Sequence, residues 1–60
     1  MFKPGQKVMV SCLGIWLPGK VTGLFGQEPD LQFGIKLDDN NTSFRSRLRD
    51  AGGNLLLEAA

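Results

Sequence analysis

Sixty residues set one domain as the limit, and 42% apolar with 22% charged residues is the composition of a folded globular unit, too apolar for a disordered tail. Seven Lys and Arg against six Asp and Glu leave a net charge of +1, which excludes coating of nucleic acid by bulk charge but allows a local basic face. One cysteine and no histidine exclude an internal disulfide and a Cys/His zinc site, so no metal or cofactor is expected, and self-association is the remaining common support for so small a core.

Pro4-Gly5-Gln6 is a turn that launches a strand over 7–12, with Val8, Val10 and Cys12 on one side and Lys7, Met9 and Ser11 on the other. Cys12 is expected to be a small buried hydrophobe. Leu13-Gly14 leads into a longer strand, where counting back from Val21 places Gly19, Leu17 and Ile15 inward and Lys20, Pro18 and Trp16 outward. Pro18 cannot donate to a ladder, so an edge or a bulge is expected there. Gly23 and Gly26 mark the bend by which small barrels pass one strand between sheets.

Gln27-Glu28-Pro29-Asp30 is a polar turn. Leu31, Phe33, Ile35 and Leu37 then alternate with Gln32, Gly34, Lys36 and Asp38, the cleanest period-two segment in the chain. Asp38-Asp39-Asn40-Asn41 tolerates left-handed conformations and predicts a hairpin turn. The return strand, 42–48, sets Phe44, Ser46 and Leu48 on one face and Arg45, Arg47 and Arg49 on the other. A single 3₁₀ turn is expected over 47–50 at most. Asp50-Ala51-Gly52-Gly53 breaks the chain before a last strand over 54–58, which closes the fold through Leu55 and Leu57. The expected core is Val8, Val10, Leu17, Val21, Phe33, Ile35, Leu37, Phe44, Leu48 and Leu55.

Gly5-Gln6-Lys7-Val8, Trp16-Leu17-Pro18-Gly19-Lys20-Val21, Ile35-Lys36-Leu37-Asp38-Asp39 and Arg47-Leu48-Arg49, in this order, resemble the strand signatures of the Tudor/Agenet group of SH3-like barrels. The resemblance implies an all-β, five-stranded, strongly bent SH3-like barrel over 1–60, and a binding module rather than an enzyme. Its best-known ligand, methylated lysine or arginine in an aromatic cage, is not expected here. The chain has no Tyr, and Leu17 stands where a cage aromatic would be.

Catalysis is not expected either: there is no His, the lone Cys is assigned inward, and Asp38-Asp39 occupies a turn. The tyrosine-proline signature of the small-barrel dihydrofolate reductases is missing as well. Two features suggest recognition. Trp16, outward by parity, either covers an open barrel end or packs on Met9 or Phe2, or it offers a recognition platform for a base, a peptide side chain or a second subunit. Arg45, Arg47 and Arg49 project to one side of a strand, with Lys36 and Lys20 extending the patch, unless they are ordinary solvated surface. The expected ligand is nucleic acid, with a protein partner or a self-assembling adaptor as the alternative, and a homo-oligomer associating through the second strand or an exposed strand edge. No run approaches the ~18 apolar residues of a membrane span, and the first residues lack the apolar core of a signal peptide. A cytoplasmic protein without a membrane partner is therefore expected.

Overall fold

The structure is a computed structural model that describes residues 2–60. Five antiparallel strands form one sheet: β1 (Lys7–Cys12), β2 (Ile15–Phe25), β3 (Gln32–Leu37), β4 (Ser43–Ser46) and β5 (Leu57–Ala59), in the spatial order β4-β3-β2-β1-β5. No helix occurs among the described residues, and none could therefore cross a membrane. The first four strands are a meander joined by short turns, and β5 returns from the far end of the sequence to pair with β1.

Each turn is explained by its residues. Leu13 and Gly14 both have positive φ (52° and 81°), as the two-residue type I′ hairpin requires, and Cys12 faces Ile15 across it. Asn41 takes a left-handed φ of 58° at the β3–β4 turn, where the Asn40 side chain accepts a hydrogen bond from the Thr42 N–H at 3.1 Å. Between Val21 and Gly23 the β2–β3 register slips by one residue, so Thr22 is the extra residue of a bulge and β2 bends there.

Pro18 lies inside β2, opposite Met9 of β1. On its other side β3 has ended at Leu37, and the Asp38 N–H donates to the Pro18 carbonyl at 3.1 Å. The N–H that proline lacks would point the same way, past the end of the β3 ladder, so the ladder loses only its last bond. Ile15–Leu17 thus pair with β1 alone, Gly19 and Lys20 lie between β1 and β3, and Gly23–Phe25 pair with β3 alone.

The buried core among the described residues is Val8, Val10, Val21, Phe33, Ile35, Leu37 and Leu57, with Phe2, Leu17, Leu31 and Phe44 packed on it in part. The alternation in β1 and β3 predicts Val8, Val10, Phe33, Ile35 and Leu37, while Leu57 takes the place in the core expected for Leu55. Leu48 and Leu55, expected in the core, are exposed, and so is Ile15.

The reasons lie after β4, which stops at Ser46 rather than running to Leu48. No 3₁₀ turn forms over 47–50. Instead the Leu48 carbonyl accepts the Leu56 N–H at 2.8 Å, and Arg49 bridges to Leu55. Leu56 uses its C=O in the opposite direction, accepting the Ser11 N–H at 2.8 Å. A residue whose N–H and C=O serve opposite neighbours breaks the two-residue period, so Leu57 turns into the core while Leu55 does not. The last strand is accordingly Leu57–Ala59, not 54–58.

Candidate functional site

Cross-strand register brings distant lysines together. Lys7 faces Lys20 across β1–β2, and Lys20 faces Lys36 across β2–β3. Three ammonium-bearing residues therefore stand in one row on the outer face of the sheet, on strands ~4.8 Å apart. Like charges directly opposite each other destabilise a sheet. No carboxylate forms an ion pair with this row: the ion pair found among the described residues joins Arg47 to Asp30 at 3.4 Å, and Glu58 of β5, diagonal to Lys7, faces Met9 on the same outward side. Asp38 does share a small cleft of about 260 Å³ with Lys20 and Lys36, without approaching either to ion-pair distance.

The next outward row is Gly23, Gly34 and Arg45. The Phe25 ring lies over the two glycines, since a Cβ on Gly34 would come within 2.9 Å of Phe25 Cε2 and one on Gly23 within 3.5 Å of Phe25 Cζ. Above the ring sits the Arg45 guanidinium, 4.1 Å from its centroid, a cation–π stack on a glycine floor. On the other side of the lysine row Trp16, 39% exposed, shares the outward face of β2 four residues before Lys20, about 13 Å along the strand. The outer face thus runs from an indole, across three lysines, to an arginine stacked on a phenyl ring.

Of the residues expected at the site, Trp16, Lys20, Lys36 and Arg45 share this face, and Arg47 and Arg49 do not. The line of arginines breaks because β4 ends. Arg47 turns to Asp30, Arg49 donates from Nη1 to the Gly53 carbonyl at 2.9 Å, and both line a separate cleft of about 760 Å³ floored by Phe2, Leu31 and Phe33. Lys7 and Phe25 are additions to the expected site. Lys7 is accessible to arithmetic, because a two-residue turn at Leu13-Gly14 makes residues 7 and 20 partners. Phe25 is not, because its placement depends on the bulge.

Beside the second cleft, Asp50 closes the 50–54 turn. Its Oδ1 accepts the N–H groups of Gly52 and Asn54, each at 2.9 Å, and its Oδ2 accepts the Asn54 side-chain amide at 3.3 Å. The Asn54 backbone bond, then its side-chain bond, hold the Asp50 carboxyl below the ordinary 3.8. A carboxyl lowered by folding stabilises above its unfolded value and loses that contribution as pH falls through the folded one. Thermal melts between about pH 5 and pH 2 are expected to show an acid-limb loss that Asp50→Asn flattens. Equal limbs in both proteins would refute the clamp.

A second exposed feature lies at the tip of the β1–β2 hairpin. Leu13 is 98% exposed and Ile15 62%, with Trp16 next to them. Leu55, 39% exposed, adjoins the Leu56 that holds Ser11. Beyond Val10 and Leu17, Ile15 is exposed because β3 reaches only to Gly19, and Cys12, expected buried, is half-buried beside Ser11, whose N–H donates to the Leu56 carbonyl. Leu13 is also an unfavourable turn residue, since a left-handed φ costs a non-glycine residue about 1–2 kcal/mol, and Asn far less.

Comparison with known proteins adds no relative: no protein-family model matches the chain, and no curated protein or solved structure gives a significant match.

Proposed function

We propose that this chain is a non-catalytic binding module that holds nucleic acid on the outer face of an SH3-like, Tudor-like barrel. The barrel reading is supported by the hydrogen-bond path from Leu48 through Leu56 to Ser11, which leads from the end of β4 back to β1. The observation that carries the function is the row Lys7–Lys20–Lys36, three lysines facing one another across three strands with no ion pair to any of them. A fold that keeps three cations facing one another gains from a polyanion part of what it loses in the free state. Phosphates neutralise such a row directly, and Trp16 and the Phe25–Arg45 stack offer flat faces to unstacked bases, the combination that single-strand binders use.

The test is a titration of labelled single- and double-stranded oligonucleotides at two salt concentrations. Wild type is compared with Lys7→Gln/Lys20→Gln/Lys36→Gln and with Arg47→Ala. The triple variant is expected to bind more weakly, with the salt slope for single strands reduced by about 0.7 for each phosphate no longer neutralised. It is also expected to melt higher than wild type, because the cross-strand repulsion is gone. Arg47→Ala should bind as wild type does. Absence of binding even at low salt would end the nucleic-acid reading.

A further inference from the structure

We propose that the cleft beside the end of β4 is a binding site for a small apolar acid, a ring system or short branched chain that ends in a single carboxylate. The site goes beyond the nucleic-acid reading and does not depend on it, since its floor includes Phe33 on the inward side of β3 while the lysine row lies on the outward side. The cleft follows from where β4 stops. The β3–β4 register pairs Phe33 with Ser46, and its continuation would set Leu31 against Leu48. Instead β4 ends at Ser46, and the chain crosses to a new partner where the Leu48 carbonyl accepts the Leu56 N–H. Leu31 and Leu48 are thereby parted and both line the opening, Leu48 with 41% of its surface exposed. Phe33 lies beneath them, packed edge-on against Phe2 with ring centroids 5.7 Å apart. The space, about 760 Å³, falls within the range of about 300–1,000 Å³ that takes a small organic ligand.

Charge selects the head of the ligand. Arg47 and Arg49 stand at the rim of the cleft. Arg47 holds Asp30 through Nη2 at 3.4 Å, but both side chains are exposed, so the pair contributes little and can be exchanged. Arg49 gives Nη1 to the Gly53 carbonyl, and no other bond of its guanidinium is found among the described residues. Glu28 and Asp50 share the rim, so the cleft is not cationic as a whole and does not draw a polyanion by net charge. A single carboxylate still gains there, because guanidiniums hold it at contact through paired, directed N–H donors. Asp50 does not compete for them: its Oδ1 accepts the N–H groups of Gly52 and Asn54, and its Oδ2 the Asn54 side-chain amide. The apolar floor and the Leu48 wall require the rest of the ligand to be apolar, since a polyol would lose water there without replacing its hydrogen bonds.

Amide NMR of the protein titrated with naphthoate, with neutral naphthylmethanol and with inorganic phosphate reads this directly. Naphthoate is expected to move the signals of 28–33 and 47–50, and the alcohol, which has the same rings without the charge, to bind about tenfold more weakly. Arg47→Gln/Arg49→Gln should weaken naphthoate by about the same factor and leave the alcohol unchanged. Leu48→Asp, at an exposed position, places a carboxylate in the wall and should weaken the acid more than the alcohol. Lys7→Gln/Lys20→Gln/Lys36→Gln should bind naphthoate as wild type does, so this site and the nucleic-acid face fail or stand separately. No binding of naphthoate at millimolar concentration overturns the proposal, as does equal binding of acid and alcohol or an arginine variant that binds undiminished. Shifts centred on Trp16 or Phe25 would also overturn it, and phosphate that displaces naphthoate would overturn it by assigning the cleft to phosphate.

Discussion

Ile35→Ala is expected to leave much of the chain unfolded at room temperature. Ile35 has no exposed surface, sits in β3 between β2 and β4, and faces Val21 on one side and Phe44 on the other. Its Cγ2 also fills the space beside Gly19, 3.3 Å from where a Cβ would be. Deleting such a side chain costs about 2–5 kcal/mol, because the neighbours cannot collapse fully into the cavity. At roughly 0.05–0.15 kcal/mol per residue, a domain of this length has only about 3–9 kcal/mol to lose. By contrast, Leu48→Ala and Leu55→Ala remove exposed side chains and should each cost about 1 kcal/mol or less. Urea unfolding of the three variants checks the ranking, and a Leu48→Ala loss equal to that of Ile35→Ala would show that the core has been drawn in the wrong place.

The second large effect is expected at Gly19. A Cβ there would lie 2.8 Å from the Lys36 carbonyl oxygen, a backbone atom fixed by the β2–β3 ladder, so Gly19→Ala forces the two strands apart. Overpacking of this kind costs about 1–3 kcal/mol, a large fraction of the total. Gly34 presents a different obstacle. Its Cβ would meet Thr22 Oγ1 at 2.6 Å and Phe25 Cε2 at 2.9 Å, both on side chains that can turn away. Gly34→Ala is therefore expected to cost less stability but to lift Phe25 off its floor and away from Arg45. Thermal melts separate the two variants, and the ring-proton shifts of Phe25 report the stack. Equal destabilisation, with the Phe25 signals unmoved by Gly34→Ala, would remove the glycine floor from the description of the site.

The parts of the fold legible in the sequence are those governed by local chemistry. Leu31 to Leu37 alternate strictly, and Gln32–Leu37 form β3 with Phe33, Ile35 and Leu37 buried. Asn40-Asn41 make a turn where turn residues predict one, whereas Leu13-Gly14, expected only as a link, closes a two-residue turn with Leu13 in a left-handed conformation. The end of β4 is not legible, since Arg45, Arg47 and Arg49 keep the two-residue spacing through and beyond it. Past the end of β4 the chain takes partners remote in sequence, the Leu48 carbonyl accepting from Leu56 and the Arg47 side chain pairing with Asp30. Leu55 and Leu57 have the same parity, and only the opposed hydrogen bonds of Leu56 distinguish them. At the site, single-strand parity is enough to turn Trp16, Lys20, Lys36 and Arg45 outward. The row that includes Lys7 needs register between strands, a property of pairs that no one segment carries.

The connections of the sheet also set an order of assembly. From β1 to β4 every pairing is between sequence neighbours, so each hairpin can close over a short loop and template the next. β5 alone must be captured from the other end of the sequence, and its three residues gain only the edge of β1. Loop-closure entropy therefore concentrates in a single late step, and the same strand is the natural point of fraying once folded. When it detaches, the flank of β1 along Val8 and Val10 loses its strand neighbour, and the route by which this protein opens is the reverse of the route by which it closes.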